Sequence, residues 1–342
     1  MHPLCPFVVQ PLTGLLHKAT RRRHRETRRK TKERELEIYN CIKDFKPVNN
    51  PVVTIGTFDG VHLGHQAIFG KMRQEADKIN GETVVITFFP HPRIVLGLDS
   101  SNLKFINTQE KKINRIDESN IDHLVIVSFT KQFAGLSSEE FLRDLVIEKI
   151  KPAKVIIGYD HHFGKNREGS FELLSKMGEE FGFNVEEVEA QLAGGTTVSS
   201  TKIRKLLQDG EVQKVNELLG YEYSITGTVV KGKSIGRKLG FPTANIEISD
   251  EYKLIAAIGV YACRVHWMGR CYKGMSNIGF RPTINHGELT IEVNIFDFDK
   301  NIYDEEITIS FVDRMRDEKK FESLEALTAQ LVKDKKAALK IL

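Results

Sequence analysis

The 342-residue sequence contains few cysteines, one tryptophan and no long apolar run. The four cysteines, at positions 5, 41, 263 and 271, form no C-x-x-C pair, which argues against a disulfide framework or a zinc ribbon. No stretch of about 18 apolar residues occurs, so the sequence predicts no membrane span. Cysteines that indicate no disulfide framework are typical of a reducing compartment, and we therefore expect a cytoplasmic protein with no membrane partner.

Charge is unevenly distributed along the chain. Residues 18–34 contain ten Lys or Arg and two Glu, whereas the rest of the chain has 40 basic and 44 acidic residues. We predict that residues 1–45 form a flexible basic extension, because runs of like charge stay in solvent. A nucleic-acid-binding arm and an organelle transit peptide are the alternative interpretations of this segment.

Residues 46–207 alternate between predicted strands and predicted helices. Ser137 and Glu140 form a capping box that begins one of these helices, which we expect to extend toward Ile150. Such alternation is typical of a parallel sheet covered on both faces, in which ligands bind beyond the carboxyl ends of the strands. The apolar or β-branched runs that predict strands are 51–57, 83–89, 123–128, 153–159 and 184–189.

Residues 223–342 have a different pattern, with short strands that no helix separates. Closely spaced short strands favour a small antiparallel barrel. The apolar spacing in 323–342 predicts a terminal amphipathic helix. The helical residues 201–220 join the two halves, and we place a helical linker at 208–222. The predicted barrel strands are 223–230, 260–266, 271–277, 289–296 and 306–312.

A glycine-rich turn with two histidines follows the first predicted strand, in the sequence GTFDGVHLGH at 56–65. His62 and His65 are three residues apart, so they share one face of the helix that is predicted to begin there. The N-terminus of a helix presents free N–H groups and a positive dipole end to an anion. Two imidazoles at this position suit a triphosphate whose α-phosphate is under attack. Farther along, Ser199, Ser200 and Thr201 precede Lys202 and Arg204, a pattern that can bind β- and γ-phosphates.

The second half contains a glycine-rich, basic segment at 227–240, followed by Pro-Thr-Ala-Asn at 242–245. Glycines allow the backbone to approach phosphates, although a plain hairpin fits the segment equally well. Thr243 and Asn245 offer neutral oxygens of the kind that Mg²⁺ accepts, while a simple turn is the alternative. Glu292 lies in an alternating strand, where it is either a general base or a solvated residue.

Together, the histidine turn, Phe-Pro-His-Pro at 89–92, residues 158–169 and residues 199–204 resemble the adenylyltransferase half of bacterial bifunctional riboflavin kinase/FAD synthetases. The resemblance implies a nucleotidyltransferase-like, Rossmann-like α/β domain that transfers AMP from ATP to FMN, with His62 and His65 in catalysis. It places Asp160 near the adenosine and the flavin. The residues that it assigns to ATP are Gly56, Phe58, His62, His65, Asp160, Ser200, Thr201 and Arg204.

The glycine-rich segment, the Pro-Thr-Ala-Asn segment and the Glu292 strand resemble the riboflavin kinase barrel of the same family. The resemblance implies that Glu292 deprotonates riboflavin, that Thr243 and Asn245 bind Mg²⁺, and that Arg316 lies near the flavin. Asp304 follows Tyr303 where the family commonly has Gly, which indicates a change in loop geometry. The residues assigned to ATP and magnesium are Gly232, Gly236, Arg237, Gly240, Thr243 and Asn245.

The sequence thus predicts an enzyme that makes FMN and then FAD from riboflavin and ATP, with Mg²⁺. Two alternatives are a single-activity nucleotidyltransferase with a binding barrel, and an RNA-binding protein. The second half lacks the clustered basic and aromatic residues typical of RNA binding, so a nucleic-acid partner is disfavoured. The oligomeric state stays open, a homo-oligomer included.

Overall fold

The first folded region is a six-stranded, all-parallel sheet with the strand order β1-β4-β3-β2-β5-β6. The computed structural model describes residues 35–97, 103–159, 161, 163–165, 168–232, 235–280 and 289–342. The strands are β1 (Glu37–Tyr39), β2 (Val52–Ile55), β3 (Thr83–Phe89), β4 (His123–Ser128), β5 (Lys154–Gly158) and β6 (Asn184–Val188).

Helices cover both faces of this sheet, as its central strands require. Val84 and Ile86 pack into one apolar cluster and Val85 into another, because successive side chains point to opposite faces. The parallel α/β prediction is therefore confirmed, and Ser137 begins its helix with the expected capping box. The helices are α1 (Leu63–Lys78), α2 (Pro92–Val95), α3 (Gln109–Asp117), α4 (Lys131–Ala134), α5 (Ser138–Phe141), a π-helical segment (Leu142–Ile147), α6 (Glu148–Ile150) and α7 (Phe171–Phe181).

Strand β1 lies before the boundary expected at residue 46. It pairs with β4, with Glu37 opposite His123 and Tyr39 opposite Val125. The Tyr39 side chain is buried, and its ring centroid lies 5.0 Å from that of Phe45. Three residues are too few for a strand period to be recognised in sequence. The part of the predicted extension up to residue 34 lies outside the described residues.

Two truncations should distinguish the strand from the extension before it. A chain that begins at residue 35 keeps β1, whereas one that begins at residue 41 loses the strand and the buried Tyr39 ring. We expect the second truncation to lower the free energy of unfolding by about 3–5 kcal/mol relative to the first, as removal of a buried aromatic side chain usually does. Urea unfolding measures this difference, and equal midpoints and slopes would contradict it.

Between the sheet and the barrel lie a short hairpin and two helices. The hairpin joins β7 (Leu192–Ala193) to β8 (Thr196–Thr197), and the helices are α8 (Ser200–Gln208) and α9 (Val212–Leu219). The expected single helical segment is divided at Gly210, whose φ of 79° lies in the left-handed region that ends helices. The predicted linker at 208–222 therefore contains α9 and only the last residue of α8, against which α9 packs.

The second region is a closed, antiparallel six-stranded barrel, which confirms the predicted architecture. Ile291 and Val293 of one strand point into its core, and Ala338 of the terminal helix packs on the outer face. The strand at 244–247 was missed because Pro-Thr-Ala-Asn is equally typical of a turn. The elements are β9 (Ser224–Val230), α10 (Ile235–Lys238), β10 (Ala244–Glu247), β11 (Gly259–Trp267), β12 (Arg270–Phe280), β13 (Leu289–Ile295), β14 (Glu306–Arg316) and α11 (Leu324–Ile341).

Candidate active sites

A tight turn connects β2 to α1 and carries the two histidines. Phe58 and Val61 both have positive φ, at 49° and 37°, and Gly60 has a φ of 85°. Positive φ is uncommon for residues with a side chain, so the surrounding structure must hold this turn in place. His62 lies at the N-cap of α1, and its side chain caps none of the helix N–H groups. The positive end of α1 therefore coincides with the histidine pair.

The imidazole rings of His62 and His65 are stacked, with centroids 3.7 Å apart and planes at 18°. The Phe58 ring meets His65 edge-on at 5.1 Å and supports it from one side. Within the described part of the chain, neither Nδ1 atom has a hydrogen-bond partner. The structure thus brings the two rings together, as their spacing predicts, and leaves the buried Nδ1 of each ring without a hydrogen bond.

Both imidazoles are neutral at neutral pH. Burial, assisted by the nearby Arg204 cation, lowers the pKa of His62 to about 4. Burial also lowers the pKa of His65 well below its usual range, and His62 and Lys112 act in the same direction. A neutral imidazole has one N–H donor and one acceptor, so the pair can donate hydrogen bonds to phosphate oxygens without carrying charge.

The lowered pKa of His62 predicts a pH-dependent loss of stability. In the unfolded chain His62 takes up a proton near pH 6.5, but in the folded chain only near pH 4. The unfolded state binds more protons between these values, so stability falls as the pH drops through this window. At about 1.4 kcal/mol per pKa unit, the His62 contribution is roughly 3 kcal/mol. Unfolding of His62→Gln should show a correspondingly shallower pH slope, and identical slopes would contradict the buried neutral state.

The first turn of α8 lies beside the histidine turn. The Ser200 hydroxyl donates to the Asp59 carbonyl oxygen at 2.9 Å, and Arg204 Nη2 donates to Asp59 Oδ2 at 2.7 Å. Ser199 caps the helix by accepting from the Lys202 N–H, and Thr201 is exposed at its start. Two helix N-termini, a hydroxyl and a guanidinium therefore converge near the two imidazoles, which is a suitable environment for a polyphosphate.

Two charged residues of this site were missed from sequence. Asp59 is buried and accepts from the Ile106 N–H at 3.0 Å and from Arg204. Lys112 is buried on α3, where its Nζ donates to the Thr57 carbonyl at 3.3 Å, and burial lowers its pKa to about 8. Asp59 belongs to the quoted motif, so its buried position could have been suspected. A single lysine on a helix carries no comparable signal.

The remaining predicted residues of this site have different surroundings. The Phe58 side chain is buried between His65 and Phe69, and Gly56 lies against its ring, so both shape the turn. Asp160 lies outside the described residues. The ATP contacts of Gly56 and Phe58 and the adenosine role of Asp160 therefore stay predictions.

A second polar cluster lies on the barrel, where β10, β13 and β12 are neighbours. Glu292 is opposite Asn245 on one side and opposite Asn277 on the other. The Thr243 hydroxyl lies 3.3 Å from Glu292 Oε2, and the Asn294 amide donates to the Pro242 carbonyl at 2.7 Å. Cross-strand neighbours share a face of the sheet, so the barrel holds these oxygens and the carboxylate together.

The glycine-rich segment approaches this cluster closely. A Cβ at Gly232 would lie 2.1 Å from Asn245 Nδ2, so only glycine fits beside that amide. Gly236 lies in α10 against the Phe241 carbonyl, and Gly240 follows that helix. Arg237 is exposed and lines the same cleft as Thr243. The other residues that line this cleft include Val229, Pro242, Ala244, Phe298, Lys300 and Tyr303.

Arg316 connects the end of β14 to the terminal helix. Its Nη2 lies 2.6 Å from Oδ2 of the buried Asp334, and its Nη1 donates to the Asp317 carbonyl at 2.8 Å. Gln330 donates to the same carboxylate at 2.7 Å. These bonds hold Arg316 against α11, and its predicted position near the flavin stays untested.

Asp304 has a φ of 65°. This is the left-handed region in which glycine is favoured and in which Asp is among the better tolerated residues. Its N–H donates to the Val229 carbonyl at 2.9 Å. The turn therefore keeps a backbone conformation suited to glycine, although the side chain differs from the common one.

Two protein-family models match adjacent parts of the chain. The FAD synthetase model covers residues 45–202, which include the histidine turn and the start of α8, and the riboflavin kinase model covers residues 219–342, which include the barrel. A bifunctional riboflavin kinase/FMN adenylyltransferase from Listeria monocytogenes is 39% identical over 83% of this chain and 90% of its own length. The chain belongs to the bifunctional riboflavin kinase/FMN adenylyltransferase family. The predicted transferase, which makes FMN from riboflavin and FAD from FMN with ATP, is thereby confirmed.

Other comparisons agree with the family assignment. The riboflavin kinase/FMN adenylyltransferases of Escherichia coli K12 and Bacillus subtilis 168 are 34% and 36% identical to this chain, and the matches cover 93% and 92% of those two proteins. A crystal structure described as a macrolide-efflux protein from Streptococcus pneumoniae is 32% identical, with a TM-score of 0.81 over 89% of this chain and 98% of that chain. That likeness shows that the two chains share a fold. Among the described residues, no helix is long and apolar enough to cross a membrane.

Proposed function

We propose that the two activities reside at two separate sites, one in each folded region. Adenylyl transfer would occur at the histidine turn and the start of α8, and riboflavin phosphorylation at Glu292 on the barrel. The stacked, neutral pair of His62 and His65 at a helix N-terminus is the observation that carries the first assignment. The neighbouring positions of Glu292, Thr243 and Asn245 carry the second.

At the adenylyl site, the FMN phosphate attacks the α-phosphorus of ATP and pyrophosphate leaves. His62 and His65 donate hydrogen bonds to phosphate oxygens, where charge accumulates in the transition state. Arg204 and the N-terminal N–H groups of α8 hold the departing β- and γ-phosphates. The Asp59 carboxylate fixes the guanidinium of Arg204 at 2.7 Å, so the cation is already in position before ATP arrives.

At the barrel site, Glu292 accepts the proton of the riboflavin 5′-hydroxyl as that oxygen attacks the γ-phosphate of a second ATP. The hydroxyl of Thr243 and the amide of Asn245 lie beside this carboxylate, and such a hard oxygen donor set fits Mg²⁺. When bound, Mg²⁺ neutralises phosphate charge. Gly232 leaves room for the glycine-rich segment to lie over the phosphates.

The division at residues 46–207, 208–222 and 223–342 is supported by the matched ranges 45–202 and 219–342, and β1 (Glu37–Tyr39) extends the first region before residue 46. A cytoplasmic setting is supported by the free thiols of Cys263 and Cys271, since disulfides are rare there. Neither the domain division nor the cytoplasmic setting depends on the oligomeric state, which stays open.

Chromatography of the reaction products tests the two-site proposal. With riboflavin, ATP and Mg²⁺ the chain should form FMN and then FAD, and with FMN in place of riboflavin it should form FAD directly. A chelator that is stronger than ATP for Mg²⁺ should stop FMN formation from riboflavin, and added MgCl₂ should restore it. Formation of FMN at an unchanged rate in the chelator would contradict the assignment of Mg²⁺ to Thr243 and Asn245.

A further inference from the structure

A short segment of the sheet region pairs with a segment of the barrel region. The Phe105 N–H donates to the Tyr252 carbonyl at 2.7 Å, and the Leu254 N–H donates to the Phe105 carbonyl at 2.8 Å. This parallel bridge places Lys253 opposite Phe105. Residues from the two catalytic regions are therefore adjacent near the histidine turn.

Lys253 is almost completely buried at this junction, with 5% of its surface exposed. Its Nζ donates to the Ile106 carbonyl and lies 4.1 Å from the centroid of the Tyr223 ring. Burial lowers its pKa to about 7, while the nearby Asp59 carboxylate opposes that effect. Because a buried ammonium group is costly unless it is well paired, these contacts indicate a specific position for this side chain.

The Ile106 carbonyl belongs to the same peptide group as the Asn107 N–H. That N–H donates to Asp59 Oδ1 at 3.2 Å, and the Ile106 N–H donates to the same oxygen at 3.0 Å. A cation at the carbonyl end of a peptide group strengthens its N–H as a donor and fixes the orientation of its plane. Lys253 therefore acts on Asp59 through one peptide group, and Asp59 in turn holds Arg204.

The linker makes a second, independent set of contacts with the histidine turn. The Tyr221 hydroxyl donates to the Gly60 carbonyl at 2.5 Å and accepts from the Asn107 amide at 3.0 Å. The Gln66 amide group lies 2.8 Å from both the Val61 and the Leu219 carbonyl oxygens. The adenylyl site is thus enclosed on one side by residues that follow it by more than 100 positions in sequence.

We propose that Lys253, a side chain of the barrel region, is a positioning residue for adenylyl transfer, because it fixes the peptide group that holds Asp59 and Arg204. This inference rests on the proposed assignment of Arg204 to the triphosphate. The region that makes FMN therefore supplies part of the structure that converts FMN to FAD. Lys253 itself has no contact with the reacting atoms.

Steady-state kinetics of Lys253→Met test this role, since methionine keeps the unbranched stem and removes the charge. We expect kcat/KM for FMN adenylylation to fall about 10- to 100-fold, the usual cost of misplacing a binding group by about 1 Å. The KM for ATP should rise, the KM for FMN should stay within about twofold, and riboflavin phosphorylation should stay near its normal rate. Lys104→Met is the matched control, because Lys104 bonds to the Glu251 carbonyl at the same junction but is exposed.

A double-mutant cycle with Arg204→Ala identifies the route of the effect. If Lys253 acts through Asp59 and Arg204, adding Lys253→Met to Arg204→Ala should lower kcat/KM for adenylylation by less than about threefold further. Full additivity, equal rises in both KM values, or a loss no larger than that of Lys104→Met would overturn the proposal.

Normal adenylylation by Arg204→Ala would instead overturn the proposed triphosphate site. If Lys253→Met does not fold, Lys253→Gln replaces it, and loss of both activities by both variants would assign Lys253 a purely structural role.

Discussion

Glu292→Gln is expected to slow riboflavin phosphorylation by roughly 10²–10⁴-fold, the usual contribution of a general base. Glutamine keeps the shape of the side chain and an oxygen near the Thr243 hydroxyl, which lies 3.3 Å from Glu292 Oε2. The variant should therefore fold and bind riboflavin and ATP nearly as before. It loses only the carboxylate that we propose as the acceptor of the 5′-hydroxyl proton.

The matched control for this variant is Glu306→Gln, which changes an exposed glutamate on another barrel strand. Its kinase rate should equal that of the unmodified chain. Adenylylation of supplied FMN should continue in both variants, because the histidine turn lies in the other region. Near-normal kinase turnover by Glu292→Gln would return Glu292 to the interpretation of a solvated strand residue.

His65→Ala should reduce FAD formation from FMN by roughly 10²–10³-fold, the range found when a preorganised donor to a developing negative charge is removed. The His65 ring stacks on His62 and is held edge-on by Phe58, so its position is fixed before ATP binds. FMN formation from riboflavin should stay largely intact. The measurements are initial rates of both half-reactions with one preparation of the purified variant.

His266→Ala provides the control, because this histidine is exposed on β11 in the barrel region. Both activities should persist in that variant. His65→Asn should recover part of the lost rate, since its amide can donate one hydrogen bond from a similar direction. An equal fall of both activities in a folded His65→Ala protein would contradict the separation of the two sites.

The sequence predicted the central strands and the architecture of both regions because burial leaves a strong pattern there. Runs such as 83–89 are continuously apolar or β-branched, as strands covered on both faces must be. The two strands that were not predicted have no such pattern. Strand β1 has only three residues, and β10 begins within Pro-Thr-Ala-Asn, whose residues are equally suited to a turn.

The candidate sites were predictable where residues close in sequence act together. His62 and His65 are three positions apart, and Ser200 and Arg204 begin one helix, so local geometry brings each pair together. Lys253 lies about 190 positions after the histidine turn and reaches it only through the folded chain. No local pattern distinguishes such a lysine from a solvated one.

Mixing the two variants tests the central claim of separate sites most directly. His65→Ala supplied with riboflavin and ATP should stop at FMN, and Glu292→Gln under the same conditions should form almost no product. A mixture of the two proteins should form FAD, because FMN released by the first can enter the intact adenylyl site of the second. Failure of the mixture to form FAD, although Glu292→Gln converts supplied FMN, would contradict an active kinase site in His65→Ala and with it the assignment of one activity to each region.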